Sequence, residues 1–285
     1  MKKLENTLVI FPTSGLCNRI EALESAFELA EQMNYRLIIL WDHVTVPCSF
    51  EKLFEVKSSI SYRVIDIGGN TTSENNDSGT HRVSWQSIKH FLLLRMYKRA
   101  VQIVMPYSYS KKVTYSSEKL GEYKSVFIEA CSYLTEIKKI RHIAFCRHYY
   151  AKCDEMLSLY PKSKVIGVHI RRGDHLEAIK NSPTELFLGK IKEQIAREPD
   201  CHFYIATDDC NTVDRIKECA GDHITVQTGK SYERFSLKGQ EEAVIDLLAL
   251  SRTEKIWGSS GSTFSSMAAT IGNIPLEILK NDSVE

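Results

Sequence analysis

The sequence of 285 residues predicts an α/β protein built on parallel sheets. Short apolar runs such as VIGVHI (165–170) have the composition of strands buried on both faces, and they alternate with longer segments of helical periodicity. Hydrophobic residues make up 43% of the chain and charged residues 26%, as in ordinary globular domains. A chain of this length is also at the size where one core tends to divide into two. We therefore expect two α/β domains.

The first half of the chain combines apolar runs, helical segments and polar loops. Its helical segments cover Arg19 to Asn34, residues 85–105 and residues 141–158. Polar composition predicts loops at TSGLCN (13–18) and at GGNTTSENNDSGT (68–80), the second of them a mobile surface loop. The predicted strands of this half are LVIFP (8–12), RLIILW (36–41), ISYRVIDIGG (60–69) and VFIEACSYL (126–134).

The second half alternates more regularly. Its predicted strands are VIGVHI (165–170), HFYIATDD (202–209), ITVQTG (224–229), KIWGSS (255–260) and PLEIL (275–279). Predicted helices separate them over residues 183–199, 211–220, 240–252 and from 262 onwards. This alternation indicates parallel βαβ units with right-handed crossovers. The sequence therefore predicts two Rossmann-like domains that face a cleft, one over residues 1–160 and one over residues 161–285.

Charge and motif content exclude several classes of function. Lys and Arg total 37 against 36 Asp and Glu, so the net charge of +1 provides no general attraction for nucleic acid. No G-x-G-x-x-G follows the strands at 7 or 165, and no P-loop is present. The eight cysteines include no C-x-x-C pair, so we expect reduced thiols and no zinc site. The N-terminus lacks a secretory signal pattern, which predicts a cytoplasmic location.

HIRRGD (169–174) places charged residues where an apolar strand ends. Open α/β sheets bind ligands beyond the carboxyl ends of their strands, so this stretch is a candidate site. The guanidinium of Arg171 offers a planar fork of donors that matches phosphate oxygens. Arg172 would point to the opposite side and pair with Asp174 or another carboxylate. The alternative is a purely structural Arg–Asp pair at the end of the strand.

Other strand ends carry weaker signals. SSGST leads from a strand into a helix, and Ser262 with Thr263 could bind an anion there or simply cap the helix. SGLCNR (14–19) is a second glycine-containing loop between a strand and a helix, from which Asn18 and Arg19 would project towards the cleft. YIATDD ends in two carboxylates that could hold a metal ion or cap the next helix. Adjacent side chains on an extended chain diverge, which favours capping at least as much as metal binding.

Taken together and in this order, the motifs resemble those of the GDP-fucose-dependent fucosyltransferase superfamily. This superfamily includes α1,6-, α1,2- and protein O-fucosyltransferases and the bacterial nodulation fucosyltransferase. The resemblance covers nearly the whole chain and rests on GLCNR, HIRRGD, YIATDD, DLLALS and SSGSTFSS. It implies a GT-B-like fold, an inverting mechanism, GDP-fucose as donor, and no required metal or other cofactor.

The resemblance also implies roles for individual donor-site residues. Arg171 would bind the β-phosphate and stabilise the departing diphosphate. His169 and Asp246 would contact the guanine. The phosphates would lie against Ser262, Thr263 and Phe264 at the start of a helix. The GLCNR loop would contribute Gly15, Asn18 and Arg19 to substrate binding, with Asn18 closing over the diphosphate or the sugar.

A general base is less clearly indicated. Some relatives use a glutamate five residues after the position of Asp174, where this chain has Ile179. A base must reach the acceptor hydroxyl within hydrogen-bond distance, so Glu177 is the first candidate here and Asp174 the second. Other relatives rely on departure of the leaving group and use no base.

These implications predict an enzyme that transfers fucose from GDP-fucose to a glycan or lipid-linked glycan in bacterial surface polysaccharide synthesis. The alternatives are a transferase for another GDP-sugar and a GDP-sugar-binding protein without turnover. Residues 88–105, with Lys89, Arg95, Lys98 and Arg99, could rest on the inner face of a membrane. An amphipathic helix packed on the first sheet, with basic residues extending to solvent, is the favoured alternative for that segment.

Overall fold

In the computed structural model, residues 4–68, 85–107, 113–136, 139–173 and 175–281 are described. The chain divides into two compact units, the first formed by Met1–Ala144 with Phe235–Gln240 and the second by Phe145–Arg234 with Glu241–Glu285. The predicted loop at 68–80 lies, after Gly68, outside the described residues. No helix in the described part of the chain is both long enough and apolar enough to cross a membrane.

Unit 1 contains a five-stranded parallel sheet in the order β4-β2-β1-β6-β5. Its strands are β1 (Thr7–Pro12), β2 (Arg36–Asp42), β4 (Tyr62–Gly68), β5 (Ile103–Val104) and β6 (Ser125–Ala130). A short strand β3 (Phe54–Val56) pairs with β7 (Ile143–Phe145) in a separate two-stranded sheet. The helices are α1 (Leu16–Met33), α2 (Phe50–Leu53), α3 (Trp85–Ala100) and α4 (Ser117–Gly121).

Unit 2 contains a second five-stranded parallel sheet, in the order β10-β9-β8-β11-β12. Its strands are β8 (Val165–Ile170), β9 (His202–Thr207), β10 (Ile224–Val226), β11 (Lys255–Ser259) and β12 (Leu276–Leu279). The helices are α5 (Arg147–Leu157), α6 (Leu176–Asn181), α7 (Thr184–Arg197), α8 (Cys210–Ala220), α9 (Leu237–Ser251) and α10 (Thr263–Gly272), and the residues of α9 up to Gln240 belong to unit 1. The strand order reverses between β8 and β11, and the carboxyl ends of strands at such a reversal point are where these sheets bind ligands.

Each sheet is covered by apolar side chains from its helices. In unit 2 the strand residues Ile166, Val168 and Ile205 pack with Phe187 and Ile191 of α7 in one buried cluster. In unit 1 the corresponding cluster is built on Val9, Phe11, Ile38, Leu40 and Phe127. These side chains alternate along the strands and recur along the helices as the apolar patterns predict.

The predicted α/β architecture with parallel sheets is confirmed. The differences are local and have tertiary causes. The helix expected to reach residue 105 ends at Ala100, because Ile103 and Val104 pair with β6. The helix expected over 141–158 is preceded by β7 and begins at Arg147. This helix, α5, belongs to unit 2, where Cys153 Sγ donates to the Ile245 carbonyl at 3.3 Å. The sequence had placed the domain boundary after it, at residue 160.

Candidate functional site

The two strands at the centre of unit 2, β8 and β11, bring the HIRRGD and SSGST stretches together. His169 lies opposite Gly258 in the parallel register, and the Arg171 amide donates to Ser259 Oγ at 3.0 Å. Both stretches therefore leave the sheet side by side at its carboxyl edge. This is the reversal point of the strand order, where the fold class predicts a ligand site.

His169 is held as a neutral, buried ring. Only 6% of the residue is exposed, and Nδ1 shares a hydrogen bond of 2.7 Å with Ser265 Oγ. The ring stacks on Phe264 with 4.8 Å between centroids. Burial lowers the pKa of His169 to about 3, and the positive charge of Arg171 acts in the same direction. A neutral ring can contact a ligand through hydrogen bonding and stacking but not through charge, and the predicted contact of His169 with guanine stays a prediction.

Gly258 allows α10 to approach β11 closely. A Cβ atom at this position would lie 2.6 Å from Ser265 Oγ and 2.7 Å from Ser265 Cβ. Such contacts are shorter than side chains tolerate, so any larger residue would push the start of α10 away from the sheet. The missing side chain at Gly258 therefore helps to place Ser265 against His169.

The start of α10 has the arrangement of an anion site. Ser262 is the N-cap residue, in extended conformation at φ −89°, and its side chain makes no capping hydrogen bond. The turn before it contains Gly261 at φ +71°, which a larger residue would adopt only with strain. The first helical turn begins with Thr263 and Phe264, and its backbone N–H groups have no partners within the helix. This end of α10 therefore carries the positive end of the helix dipole. Such an end can bind a phosphate.

Arg171 is positioned by Asp208, the first residue after β9. The guanidinium forms an ion pair with the Asp208 carboxylate, which also accepts from the Arg172 amide at 2.7 Å. A Cβ atom at Gly173, where φ is +38°, would approach Asp208 Oδ2 to 2.7 Å. Glycine at 173 therefore allows the loop to pass over this carboxylate.

The two acidic residues after β9 have different roles. Asp209 is the N-cap of α8 and accepts from the Thr212 amide at 2.8 Å, which is the capping alternative raised by the sequence. Asp208 is the ion-pair partner of Arg171. Within the described residues, no group of three or more His, Cys, Asp or Glu side chains could hold a metal ion.

Arg172 is a structural residue of this loop. It is 8% exposed, and its guanidinium donates to Thr184 Oγ1 and to the Ser182 carbonyl at 3.0 Å. The Nη1 group of Arg172 also donates to the Arg171 carbonyl at 2.8 Å. Among the described residues these partners are hydroxyl and carbonyl oxygens, whereas the sequence suggested a carboxylate. Arg172 thus ties the end of β8 to the start of α7.

Asp246, on α9, is buried within a polar cluster. Its carboxylate accepts from the Tyr204 hydroxyl at 2.7 Å and from Lys230, whose ammonium also donates to the Thr207 carbonyl at 2.6 Å. Burial raises the pKa of Asp246, while the charge of Lys230 acts against this shift. The carboxylate therefore already accepts hydrogen bonds from Tyr204 and Lys230. Its contact with guanine stays a prediction.

In unit 1 the GLCNR loop connects β1 to α1. Gly15 is the N-cap of α1, and the Asn18 side chain donates to the Cys131 carbonyl at 2.6 Å. Arg19 is 1% exposed: its guanidinium pairs with Asp42 and donates to the Ser14 carbonyl at 3.0 Å. Arg19 therefore holds the loop from inside the unit and does not project outward as the sequence suggested. Substrate contacts by Gly15 and Asn18 stay predictions.

The candidate bases lie in and before the short helix α6. Glu177 is exposed in its first turn, and Asp174 lies outside the described residues. His175, which the sequence analysis missed, caps α6 by accepting from the Ala178 amide at 3.0 Å through Nδ1. A Cβ atom at Gly261 would lie 3.3 Å from the His175 ring, so α6 begins beside the turn that leads into α10. The signal for His175 was its position directly after HIRRGD.

No protein-family model and no curated protein sequence matches the chain. Several solved structures, however, match the chain in fold. The fold is similar to NodZ alpha-1,6-fucosyltransferase soaked with GDP-fucose, with a TM-score of 0.58 and 18% identity over 99% of this chain and 96% of that chain.

Fucosyltransferase NodZ from Bradyrhizobium gives a TM-score of 0.55 and 18% identity over 94% of this chain and 92% of that one. POFUT1 in complex with GDP gives a TM-score of 0.61 and 12% identity over 98% and 99% of the two chains. The chain therefore has the fold of these fucosyltransferases, which confirms the predicted resemblance at the level of fold.

Proposed function

We propose that the protein is an inverting, metal-independent glycosyltransferase that moves fucose from GDP-fucose to a glycan acceptor in bacterial surface polysaccharide synthesis. The observation that carries the proposal is the place of Arg171 at the reversal point of the unit 2 sheet, where its amide donates to Ser259 at the end of the strand that leads into α10. Similarity to fucosyltransferase structures supports the reaction type, and neighbours bound to GDP or GDP-fucose support the donor.

Chemically, the difficult part of the reaction is departure of the diphosphate, which gains a further negative charge as its bond to the sugar breaks. Arg171 and the amides at the start of α10 supply fixed positive charge where negative charge develops. Asp208 holds the guanidinium in place before substrate binds, so little reorganisation is needed. Because these groups are cationic or dipolar, they can replace a metal ion in stabilising the diphosphate.

Transfer with inversion requires the acceptor oxygen to attack the anomeric carbon from the face opposite the diphosphate. The new C–O bond forms as the bond to the β-phosphate oxygen breaks, and the hydroxyl proton passes to a base. Glu177 is our candidate base, because it is an exposed carboxylate on the helix that begins beside the α10 turn. His169 and Asp246 would contact the guanine, and Ser262, Thr263 and Phe264 the phosphates.

The test is calorimetric titration with GDP, UDP, GDP-fucose and GDP-mannose, each in EDTA. Selective binding of GDP compounds without metal supports the proposal, and preference for GDP-fucose identifies the donor. Arg171→Ala should weaken GDP binding roughly 10- to 150-fold, the worth of hydrogen bonds from a charged group. The control is Arg197→Ala, an exposed arginine in the last turn of α7.

Two outcomes would overturn these assignments. Binding of UDP, or of no nucleotide unless metal is added, would contradict the donor site. Near-normal GDP affinity in Arg171→Ala would contradict the role of that residue. Release of GDP on addition of glycan acceptors would then separate a transferase from a GDP-sugar-binding protein without turnover.

A further inference from the structure

The helix α3 presents two different faces. Leu93, Leu94 and Tyr97 pack against the apolar cluster of the unit 1 sheet. On the outside of the helix, Phe91 is 60% exposed and Leu92 is 57% exposed. The favoured sequence interpretation, an amphipathic helix packed on the sheet with basic residues extending to solvent, accounts for the packed face but not for two adjacent exposed apolar side chains. Paired exposure of this kind is typical of an interaction surface.

The same side of α3 is strongly basic. Lys89, Arg95 and Arg99 are exposed, and together with Phe91 and Leu92 they form what we call the α3 outer face. Residues 85–107 contain no Asp or Glu at all, although the chain as a whole is almost neutral. Lys98 is excluded from this face because it forms an ion pair with Glu129 at 2.9 Å. The α3 outer face therefore combines exposed apolar side chains with positive charges that form no ion pair with an acidic side chain in the part of the chain that the structure describes.

Contacts of His90 fix the location of this face on unit 1. Its Nδ1 lies 3.5 Å from the carbonyl of Gly68, the last residue of β4. Its ring packs edge-on against Phe11, near the end of β1, at 5.7 Å between centroids. The exposed apolar residues of α3 therefore lie by the carboxyl edge of the unit 1 sheet, the edge at which α/β sheets bind ligands.

We propose that the α3 outer face docks on an anionic lipid membrane. Phe91 and Leu92 enter the boundary between headgroups and acyl chains, while Lys89, Arg95 and Arg99 meet lipid phosphates. Charge complementarity selects this partner, because a neutral apolar partner would leave three cations facing it without counter-charges. Docking would also hold the carboxyl edge of unit 1 close to a lipid-linked glycan acceptor, an inference that rests on the proposed function.

The test is sedimentation of the full chain with vesicles of phosphatidylcholine alone or with about a third phosphatidylglycerol. We expect binding to the anionic vesicles that weakens as salt is added. Phe91→Gln with Leu92→Gln should reduce partitioning at least tenfold, because two apolar side chains lose their burial. Arg95→Gln with Arg99→Gln should reduce it about 25-fold, roughly fivefold for each charge near the surface.

Matched controls come from unit 2. Leu159→Gln removes an apolar side chain that is 83% exposed, and Lys192→Gln with Lys217→Gln removes two exposed charges from α7 and α8. These variants should partition as the wild type does. Circular dichroism and GDP titration of each α3 variant check that the fold and the donor site remain intact.

Failure of the wild type to bind anionic vesicles would overturn the proposal, as would wild-type partitioning by either α3 double variant. An equal loss of vesicle partitioning in the unit 2 control variants would also overturn the proposal, because binding would then not depend on the α3 outer face. Self-association that disappears in the Phe91→Gln, Leu92→Gln variant, without vesicle binding, would assign the face to a second copy of the chain. Because vesicle binding needs no nucleotide, these outcomes are independent of whether GDP-fucose is the donor.

Discussion

Replacement of Gly258 by alanine tests how the candidate site is assembled. The new Cβ atom would stand 2.6 Å from Ser265 Oγ and 3.1 Å from Leu276 Cδ1, whereas ordinary contacts begin at 3.4 Å. The start of α10 must therefore move away from β11 by about 0.8 Å. Such a movement lengthens the hydrogen bond between Ser265 and His169, now 2.7 Å, to the limit of a useful interaction.

The expected cost has two parts. Added atoms in a close-packed core destabilise proteins by about 1–3 kcal/mol. Loss of the hydrogen bond between the two buried groups Ser265 and His169 adds about 1 kcal/mol. Gly258→Ala should therefore lower the free energy of unfolding by about 2–4 kcal/mol, and it should weaken GDP binding because the N-terminus of α10 has moved.

Urea unfolding followed by tryptophan fluorescence measures the first effect, since Trp257 is the neighbour of Gly258. Calorimetric titration with GDP measures the second. The control is Gly189→Ala in α7, where a Cβ atom would meet nothing within 4 Å. This control should gain about 0.5–1 kcal/mol, because alanine is the better helix former. If Gly258→Ala were as stable as the wild type and bound GDP equally well, the packing argument for this site would be refuted.

Two further predictions concern unit 1. Arg19→Ala should destabilise the protein by about 3–5 kcal/mol in urea unfolding, because it leaves the buried carboxylate of Asp42 without its partner; a loss below 1 kcal/mol would contradict this. His142 lies 2.9 Å from Glu24 and 3.2 Å from Glu31, and the hydrogen bond to Glu24 is the main cause of its raised pKa. Stability from the protonated ring is fully present below pH 6.5 and is lost as the pH rises through the raised folded pKa. The stability difference between wild type and His142→Gln should therefore shrink with rising pH, and a difference that grows would contradict the assignment.

Much of the fold follows from local patterns. Apolar runs located β1, β2, β8, β9 and β11 to within one or two residues, since a strand buried on both faces needs apolar residues on both. Shorter elements such as β3, β5, β7 and α6 carry too few residues for a periodic signal. Their formation depends on pairing partners elsewhere in the chain, as the bonding of β5 to β6 illustrates.

The candidate site could be proposed from the sequence in position but not in the detail of its contacts. Polar residues after β8 and β11 indicated a ligand site because carboxyl ends of neighbouring parallel strands share an edge. The internal role of Arg19 was not visible, since its partner Asp42 lies 23 positions further along the chain. Nor was the pairing of Arg171 with Asp208, which are 37 positions apart. The cluster of Tyr204, Lys230 and Asp246 depends in the same way on distant residues.

The sequence by itself determined the α/β class, the main strands and helices, and the stretches that carry charge at strand ends, because periodicity and turn chemistry act between near neighbours. Only the tertiary structure decided which of those charges lie at the candidate site and which are held inside the fold. It placed the Arg171 amide against Ser259 at the end of β11, directed Arg172 to Thr184, and left Phe91 and Leu92 on the surface. These outcomes depend on strand order and on packing between distant segments, which a local pattern does not contain.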